Sequence, residues 1–461
     1  MALQNILGRR DVISLAFGAM IGWGWVILSG PLIAQAGTLG SILAVILASA
    51  MVGCVGLAYA ELTSAMPRAG GELAFTFRAL GPGVSWVCGW ALILAYVGVC
   101  AFEAVALSSV VNYLNSSFSQ WPLFDVVGTP VYLSWILLSS AGAIFIGYIN
   151  WKGIQTAAWV QWVAMAGLVA VGLSFFVAAQ VTGSVSNLEP RWHDLRGLLR
   201  AAMLMPFLLI GFDVIPQAAE EISVPRREIG KLLMLSIGMA TVWYLLVQWS
   251  VGVSMTESAR QGSTLVTADA AAHAFRSAWG GKLLVLGGLL GVLTSWNAFF
   301  VGATRLVYAM GRAGMLPRGL QELHPKHNTP SRAVLFMLAC TLVAPWLGAG
   351  ALVWIANAAS FAAVLAFCLV TISFLRLRQT EPEMDRPYLV PGGNMVPYIA
   401  VAVSIGFVCL YLPFSPSALI WPEEWLIVVV WAALGVAVYL VGKKLQPPPS
   451  REEQRRILLD D

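Results

Sequence analysis

Between Asp11 and Gly442 the chain runs apolar twelve times, each time long enough to cross a bilayer, and nothing else in the sequence constrains its fold as tightly. A helix of about 20 apolar residues spans the hydrocarbon core, and helices satisfy their own backbone hydrogen bonds there. The runs lie near 11–35, 38–64, 83–114, 129–149, 156–180, 198–221, 230–255, 282–312, 332–349, 351–376, 394–415 and 422–442, and they predict helices 1 to 12. Hydrophobic residues make up 59% of the 461 and charged residues 11%, against about 45–50% and 25% in soluble domains. So much apolar surface needs lipid as its solvent. The expected class is an all-α polytopic membrane protein with 12 transmembrane helices and no soluble domain. The longest polar connections are 181–197, 256–281 and 377–393, and the tail after Lys443 reads as charged and mobile.

The first apolar segment continues past Gly30 without a small-residue cleavage pattern, so it is read as a true span. Orientation follows from the basic residues. One side carries Arg9, Arg10, Arg68, Arg78, Lys152, Arg226, Arg227, Lys231, Arg305, Arg312, Arg318, Lys326, Arg332, Arg376, Arg378, Arg386, Lys443, Lys444, Arg451, Arg455 and Arg456, 21 of the 27. The other side keeps Arg191, Arg196, Arg200, Arg260, Arg276 and Lys282. That asymmetry predicts cytoplasmic N- and C-termini, and an even helix count agrees with that. The net charge of +4 is spread over many loops and offers no face for nucleic acid. Cys54, Cys88, Cys100, Cys340, Cys368 and Cys409 all fall inside apolar runs, without metal-ligand spacing, so neither a disulfide framework nor a metal site is expected, and no cofactor. Short loops fit a bacterial inner membrane, and Asn115-Ser116-Ser117 matches a glycosylation pattern by chance.

Two of the predicted helices carry interruptions at mid-span. Helix 1 contains Gly18, Gly22 and Gly24 around Trp23, and helix 6 contains Met205-Pro206-Phe207 followed by Ile210-Gly211-Phe212-Asp213 and then Pro216. Glycine and proline there weaken the helix and free backbone groups. Such groups survive in hydrocarbon only when buried in protein or lining a wet cavity. Breaks at corresponding places in two five-helix halves point to a transport site at the membrane midplane. The expected organisation is an N-terminal segment 1–10, a first repeat 11–180 (helices 1–5) and a second repeat 181–376 (helices 6–10). Helices 11 and 12 with their preceding loop fill 377–442, and the tail is 443–461. The simpler alternative is that Gly22 and Gly24 only permit close helix packing.

Glu103 is the most informative single residue. It lies deep in the apolar run of helix 3, where an ionisable group faces the protein interior or a wet cavity. Tyr96, Val99 and Cys100 precede it by seven, four and three residues and share its helix face. It is placed to pair with a solute's amino group, to carry a proton, or to brace a neighbouring helix.

The chain resembles the amino acid–polyamine–organocation (APC) superfamily, whose members share the LeuT-type fold of two inverted five-helix repeats. The resemblance rests on five pieces in order along the chain. Leu7-Gly8-Arg9-Arg10-Asp11 leads into the glycine-broken helix 1, and Met66-Pro67-Arg68-Ala69-Gly70-Gly71-Glu72 with Leu80-Gly81-Pro82 and Gly89-Trp90 stands at the helix 2–3 connection. Ile210-Gly211-Phe212-Asp213 with Ala219-Glu220-Glu221 and Val224-Pro225-Arg226-Arg227 matches the helix 6 signature. Thr304-Arg305-Leu306-Val307-Tyr308-Ala309-Met310, Gly314-Met315-Leu316-Pro317 and His324-Pro325 follow, and then Arg386-Pro387-Tyr388-Leu389-Val390-Pro391-Gly392.

The resemblance implies a substrate cradle at the unwound parts of helices 1 and 6, where free N–H groups hold a carboxylate and free carbonyls an ammonium. On this sequence the cradle maps to Ile21, Gly22, Trp23 and Gly24, with Phe207, Ile210 and Gly211 opposite. Phe207 matches the aromatic that closes over the substrate. Tyr96, Cys100 and Glu103 match a pocket-lining face of helix 3, while Asn297 and Phe299 of helix 8 match a substrate-contacting asparagine and stacking aromatic. Trp23 departs from the small residue that many relatives carry, and its indole either faces the pocket or packs away from it. Asp213 matches an acid implicated in proton sensing, or else braces the broken helix. Thr294 and Ser295 are sodium candidates against the helix 1 carbonyls, although such hydroxyls in membrane helices more often bond across helices. Several bacterial relatives place a lysine in helix 5 as a stand-in for sodium. This chain has only Gly167 or Leu168 near the expected position, so that mechanism cannot be assumed. Glu220 and Glu221, beside Arg226 and Arg227, read as salt-bridge partners.

These observations lead to a secondary active transporter of amino acids that works by symport or exchange, with a small amine-bearing solute and a lipid bilayer as partners; a coupling proton through Glu103 or Asp213 is favoured over sodium, and exchange without ion coupling stays open. A transporter of a decarboxylated amine such as ethanolamine or a polyamine is the alternative. Two further classes fit less well. His193, His273, His324 and His327 all fall in predicted loops, without the nucleophile–base pair of a membrane enzyme. Two inequivalent broken helices favour alternating access over a channel.

Overall fold

In a computed structural model, residues 5–126, 128–415, 418–445 and 447–459 are described. Ten helices are long and apolar enough to cross a membrane among these residues, and two shorter apolar helices, Ser331–Leu347 and Met395–Leu410, stand where helices 9 and 11 are predicted. Helix 2 is Thr38–Ala65, helix 3 Pro82–Leu114, helix 4 Leu133–Lys152, helix 5 Ile154–Thr182, helix 7 Arg226–Ser254, helix 8 Ala278–Arg312, helix 10 Leu352–Thr380 and helix 12 Glu423–Leu445.

The two predicted interruptions are present. Helix 1 runs Arg9–Met20, stops, and resumes as Gly24–Ile27 and Ser29–Ala36. Helix 6 runs Leu195–Leu209, stops, and resumes as the single turn Val214–Gln217. Both breaks lie at the centre of the bundle. Helix 3, beside them, is 83% buried along its apolar window, whereas helix 12 is 6% buried and belongs to the periphery. Helix 7 lies along helix 2, and helices 8 and 10 both lie along helix 3. The outer faces expose large apolar side chains such as Leu137, Ile144, Trp159, Leu173, Val177 and Val242, as bilayer contact requires.

Two local expectations, at the start of helix 4 and in the tail, are corrected, and two connections carry helices of their own. Thr129–Tyr132, predicted as the start of helix 4, is a strand that pairs antiparallel with Pro122–Val126. Pro122 and Pro130 disfavour a helix there, and Gly128, at φ 71°, permits the turn. The chain is therefore not purely helical. The connection 256–281 contains Glu257–Gln261 and Val266–Ala274, the latter packed on helix 8. A ten-residue helix, Gly71–Leu80, joins helices 2 and 3. The tail, expected to be mobile, forms a helix over Arg451–Leu459. The Glu453 N–H donates to Ser450 Oγ at its start, and Gln454 Nε2 donates to the Ala313 carbonyl at 2.9 Å while Leu458 is buried. The N-terminal segment sits at the same end of the bundle. Leu7 bridges Ile222, and Arg9 pairs with Glu228 at the start of helix 7.

Candidate functional site

The break in helix 1 leaves Ile21, Gly22 and Trp23 outside the helical ladder, and three groups answer the freed backbone. The Trp23 N–H donates to both carboxylate oxygens of Glu103, at 3.3 Å each. The Tyr244 hydroxyl of helix 7 donates to the Met20 carbonyl at 2.7 Å. The Ile21 and Gly22 carbonyls lie against Gly291 of helix 8. Gly22 is required by close approach, since a methyl there would overlap Glu103 Oε1 and lie 2.8 Å from Ser295 Oγ. Glu103, 2% exposed, therefore sits inside the break beside Ser295. Its depth in an apolar helix was the signal that found it.

The helix 6 break is built differently. Gly211 has φ 134°, a conformation that L side chains rarely adopt, and its missing Cβ lets it rest on Ala19 and the Met20 backbone. The two breaks thus touch. Asp213 fastens the turn: its Oδ1 accepts the Gly211 N–H at 2.8 Å and its Oδ2 accepts the Tyr96 hydroxyl at 2.7 Å. Of the two roles open to Asp213 in sequence, bracing is the one with visible contacts. Tyr96 in turn tilts against Phe299, ring centroids 5.5 Å apart. Phe207 meets Phe102 edge-to-face, ring centroids 5.1 Å apart. Ile210 caps the first half of helix 6 and is buried.

Residues 7–437 match the profile of the Amino acid permease family. The chain belongs to that family, within the APC superfamily. Its relatives match over most of the chain at low identity. The branched-chain amino acid permease BcaP of Bacillus subtilis is 26% identical over 95% of this chain and 93% of its own length. A methylthioribose transporter of the same organism is 25% identical over 95% and 94%. An aspartate–proton symporter, also of B. subtilis, is 24% identical over 85% of this chain and 76% of its own length. The permease is thus a multi-pass membrane protein of a family of amino acid transporters.

The other predicted residues of the permease have the following neighbours. Gly24 begins the second half of helix 1 against Leu208. The Trp23 indole packs on Gly288 of helix 8, and its Nε1 is buried without a partner. Cys100 is buried and neighbours Cys340 of helix 9 as well as Glu103. Thr294 Oγ1 donates within its own helix to Gly291. Asn297 joins a polar cluster instead of the cradle: its Nδ2 donates to Gln161 Oε1 at 2.9 Å and to the Ala157 carbonyl, and its Oδ1 accepts from Asn150. Gln161 also donates to the Ser14 carbonyl at 2.9 Å and lies against Gly18. So Gln161 of helix 5 bonds to both helix 1 and helix 8. A polar residue inside an apolar stretch was the available signal.

Glu220 and Glu221 do form ion pairs, but with helix 8 rather than with Arg226 and Arg227. Arg305 binds Glu221 through two hydrogen bonds at 2.8 and 3.1 Å, both side chains almost wholly buried, and Arg312 pairs with Glu220 at 3.7 Å. The Glu221 carbonyl accepts the Ile6 and Leu7 N–H groups, so this pair also anchors the chain that enters helix 1.

Proposed function

We propose that the permease is a secondary active transporter that carries an amino acid across a bacterial inner membrane by alternating access. Twelve spans form two inverted five-helix repeats plus helices 11 and 12, with both termini cytoplasmic. The repeat is supported by pairing between helices of equal rank: 2 with 7, 3 with 8, and the break of 1 against the break of 6. The shared end of the two termini and the distribution of Lys and Arg support the orientation.

One observation carries the mechanism. The Glu103 carboxylate holds the Trp23 N–H, a group that an arriving substrate carboxylate would need. An amino acid can load when Glu103 takes up a proton and yields that N–H, so solute entry and proton uptake are linked. Transport is then symport, or exchange of one solute for another over the same carboxyl group. Ile21, Gly22, Gly24, Ile210 and Gly211 supply the backbone of the cradle, Tyr96 and Phe299 its floor, and Phe207 with Phe102 its lid. Relatives named for branched-chain amino acids and for aspartate–proton symport fit this reading.

The same contact supports a second reading. A solute with an ammonium and no carboxylate would bind Glu103 directly and leave the helix 1 amide undisturbed. Uptake into proteoliposomes tests the first reading: Glu103→Gln is expected to retain binding while uptake loses its dependence on external pH. Unchanged uptake with unchanged pH dependence removes Glu103 from the mechanism. A thermal-shift screen of amino acids against their decarboxylated analogues separates the solutes. Losing the carboxylate should cost an amino acid site about 1–3 kcal/mol, about 5- to 150-fold in affinity.

A further inference from the structure

Away from the cradle, Glu72 is fully buried near the start of Gly71–Leu80, and its Oε2 accepts a hydrogen bond from Gln217 Nε2, in the turn that ends helix 6. The remaining atoms of this pair are unpartnered. Glu72 Oε1 and Gln217 Oε1 are both buried without a close hydrogen bond, and the Tyr59 hydroxyl of helix 2 stands beside the same carboxyl group as a weak donor. Among the described residues, no lysine or arginine forms an ion pair with Glu72. The ionisable groups that face it are Tyr59 of helix 2, Cys88 and Tyr96 of helix 3 and Asp213 of the helix 6 break, none of them a cation. Arg305 of helix 8 is committed to Glu221, and Arg378 of helix 10 to Glu61.

A carboxylic acid and a primary amide are complementary at two points. The amide N–H donates to the acid carbonyl, and the acid O–H donates to the amide carbonyl. Here the first bond is made, and the two oxygens that the second would join are both left without a close partner. An ionised Glu72 would instead leave the Gln217 carbonyl unsatisfied and a charge without a counter-ion, both costly in a dry interior.

We propose that Glu72 is a proton-binding site, its carboxyl O–H donating to the Gln217 side-chain carbonyl so that acid and amide close a two-point pair. The proton comes from the aqueous phase and returns to it, with no covalent change. Burial, and then the Asp213 carboxylate, hold the Glu72 carboxyl well above its ordinary range, in accord with this geometry. The pair fastens Gly71–Leu80 to the turn that follows the helix 6 break, where Gly71 already packs on Pro216 and the Gly70 N–H donates to the Gln217 backbone carbonyl. Loss of the proton sets a carboxylate against the Gln217 carbonyl and loosens Val214–Gln217. The contribution is complete at acidic pH and is lost as pH rises through the raised value. Nothing in this inference depends on which solute is carried.

Infrared spectroscopy of the purified, lipid-reconstituted protein reads the proton directly. The parent at neutral pH is expected to show a carboxylic-acid carbonyl band, shifted in D2O, that Glu72→Gln removes. Glu72→Gln keeps a two-point amide pair and should fold, and its melting temperature should decline less than the parent's between neutral and alkaline pH. The exchanged double variant, Glu72→Gln with Gln217→Glu, should restore the band from the opposite side. A folded Glu72→Gln protein with the carboxylic-acid band undiminished overturns the proposal, as does a double variant in which the band fails to return.

Discussion

The Tyr244 hydroxyl caps the Met20 carbonyl at 2.7 Å, closing from helix 7 the hydrogen bond that helix 1 abandons where it breaks. A carbonyl freed in the middle of a membrane has no water to turn to, so this phenol helps make the break tolerable. Tyr244→Phe removes the donor without changing the packing and leaves the carbonyl buried and unpaired. The expected cost is about 1–3 kcal/mol, read as a lower melting temperature in detergent. A variant that melts with the parent would mean that another donor serves Met20.

Gly22 offers a second test. A methyl group there collides with Glu103 Oε1 and Ser295, so Gly22→Ala should abolish uptake while the protein still inserts and folds. Shortening the acid relieves the collision. Adding Glu103→Asp to Gly22→Ala is therefore expected to recover measurable uptake, which two unrelated losses would not do.

The buried Arg305–Glu221 pair gives a third. Removing one partner strands a charge in the interior, and Arg305→Met or Glu221→Gln alone should destabilise the protein by about 3–5 kcal/mol. Removing both avoids the stranded charge, so the double variant should melt above either single one. Strictly additive losses would show that the two side chains act separately.

Much of this arrangement was legible in the sequence, and the remainder was hidden for physical reasons. Gly22, Gly24, Pro206 and Gly211 announce broken helices because few other residue types free a backbone in lipid. Glu103 announces itself because a carboxyl group deep in an apolar helix needs a partner. Partnerships are harder to see. Glu72 and Gln217 lie 145 residues apart, and nothing in either segment names the other. Asn297 and Gln161 show the same limit, since polar residues in spans signal hydrogen bonding without saying whether solute or neighbouring helix receives it. The hairpin Pro122–Val126 and Thr129–Tyr132 was missed because its apolar residues merge with the run that becomes helix 4.

Gly211 resting on Ala19 and Met20 has a consequence for turnover. If the permease works by the alternating access proposed above, two pivots with no side chain between them would act as one bearing, and tilting one half would drag the other. A gate that opened on one face by such tilting would then shut its counterpart on the far face, so that the hinge itself would limit leak and each swing would deliver a single load.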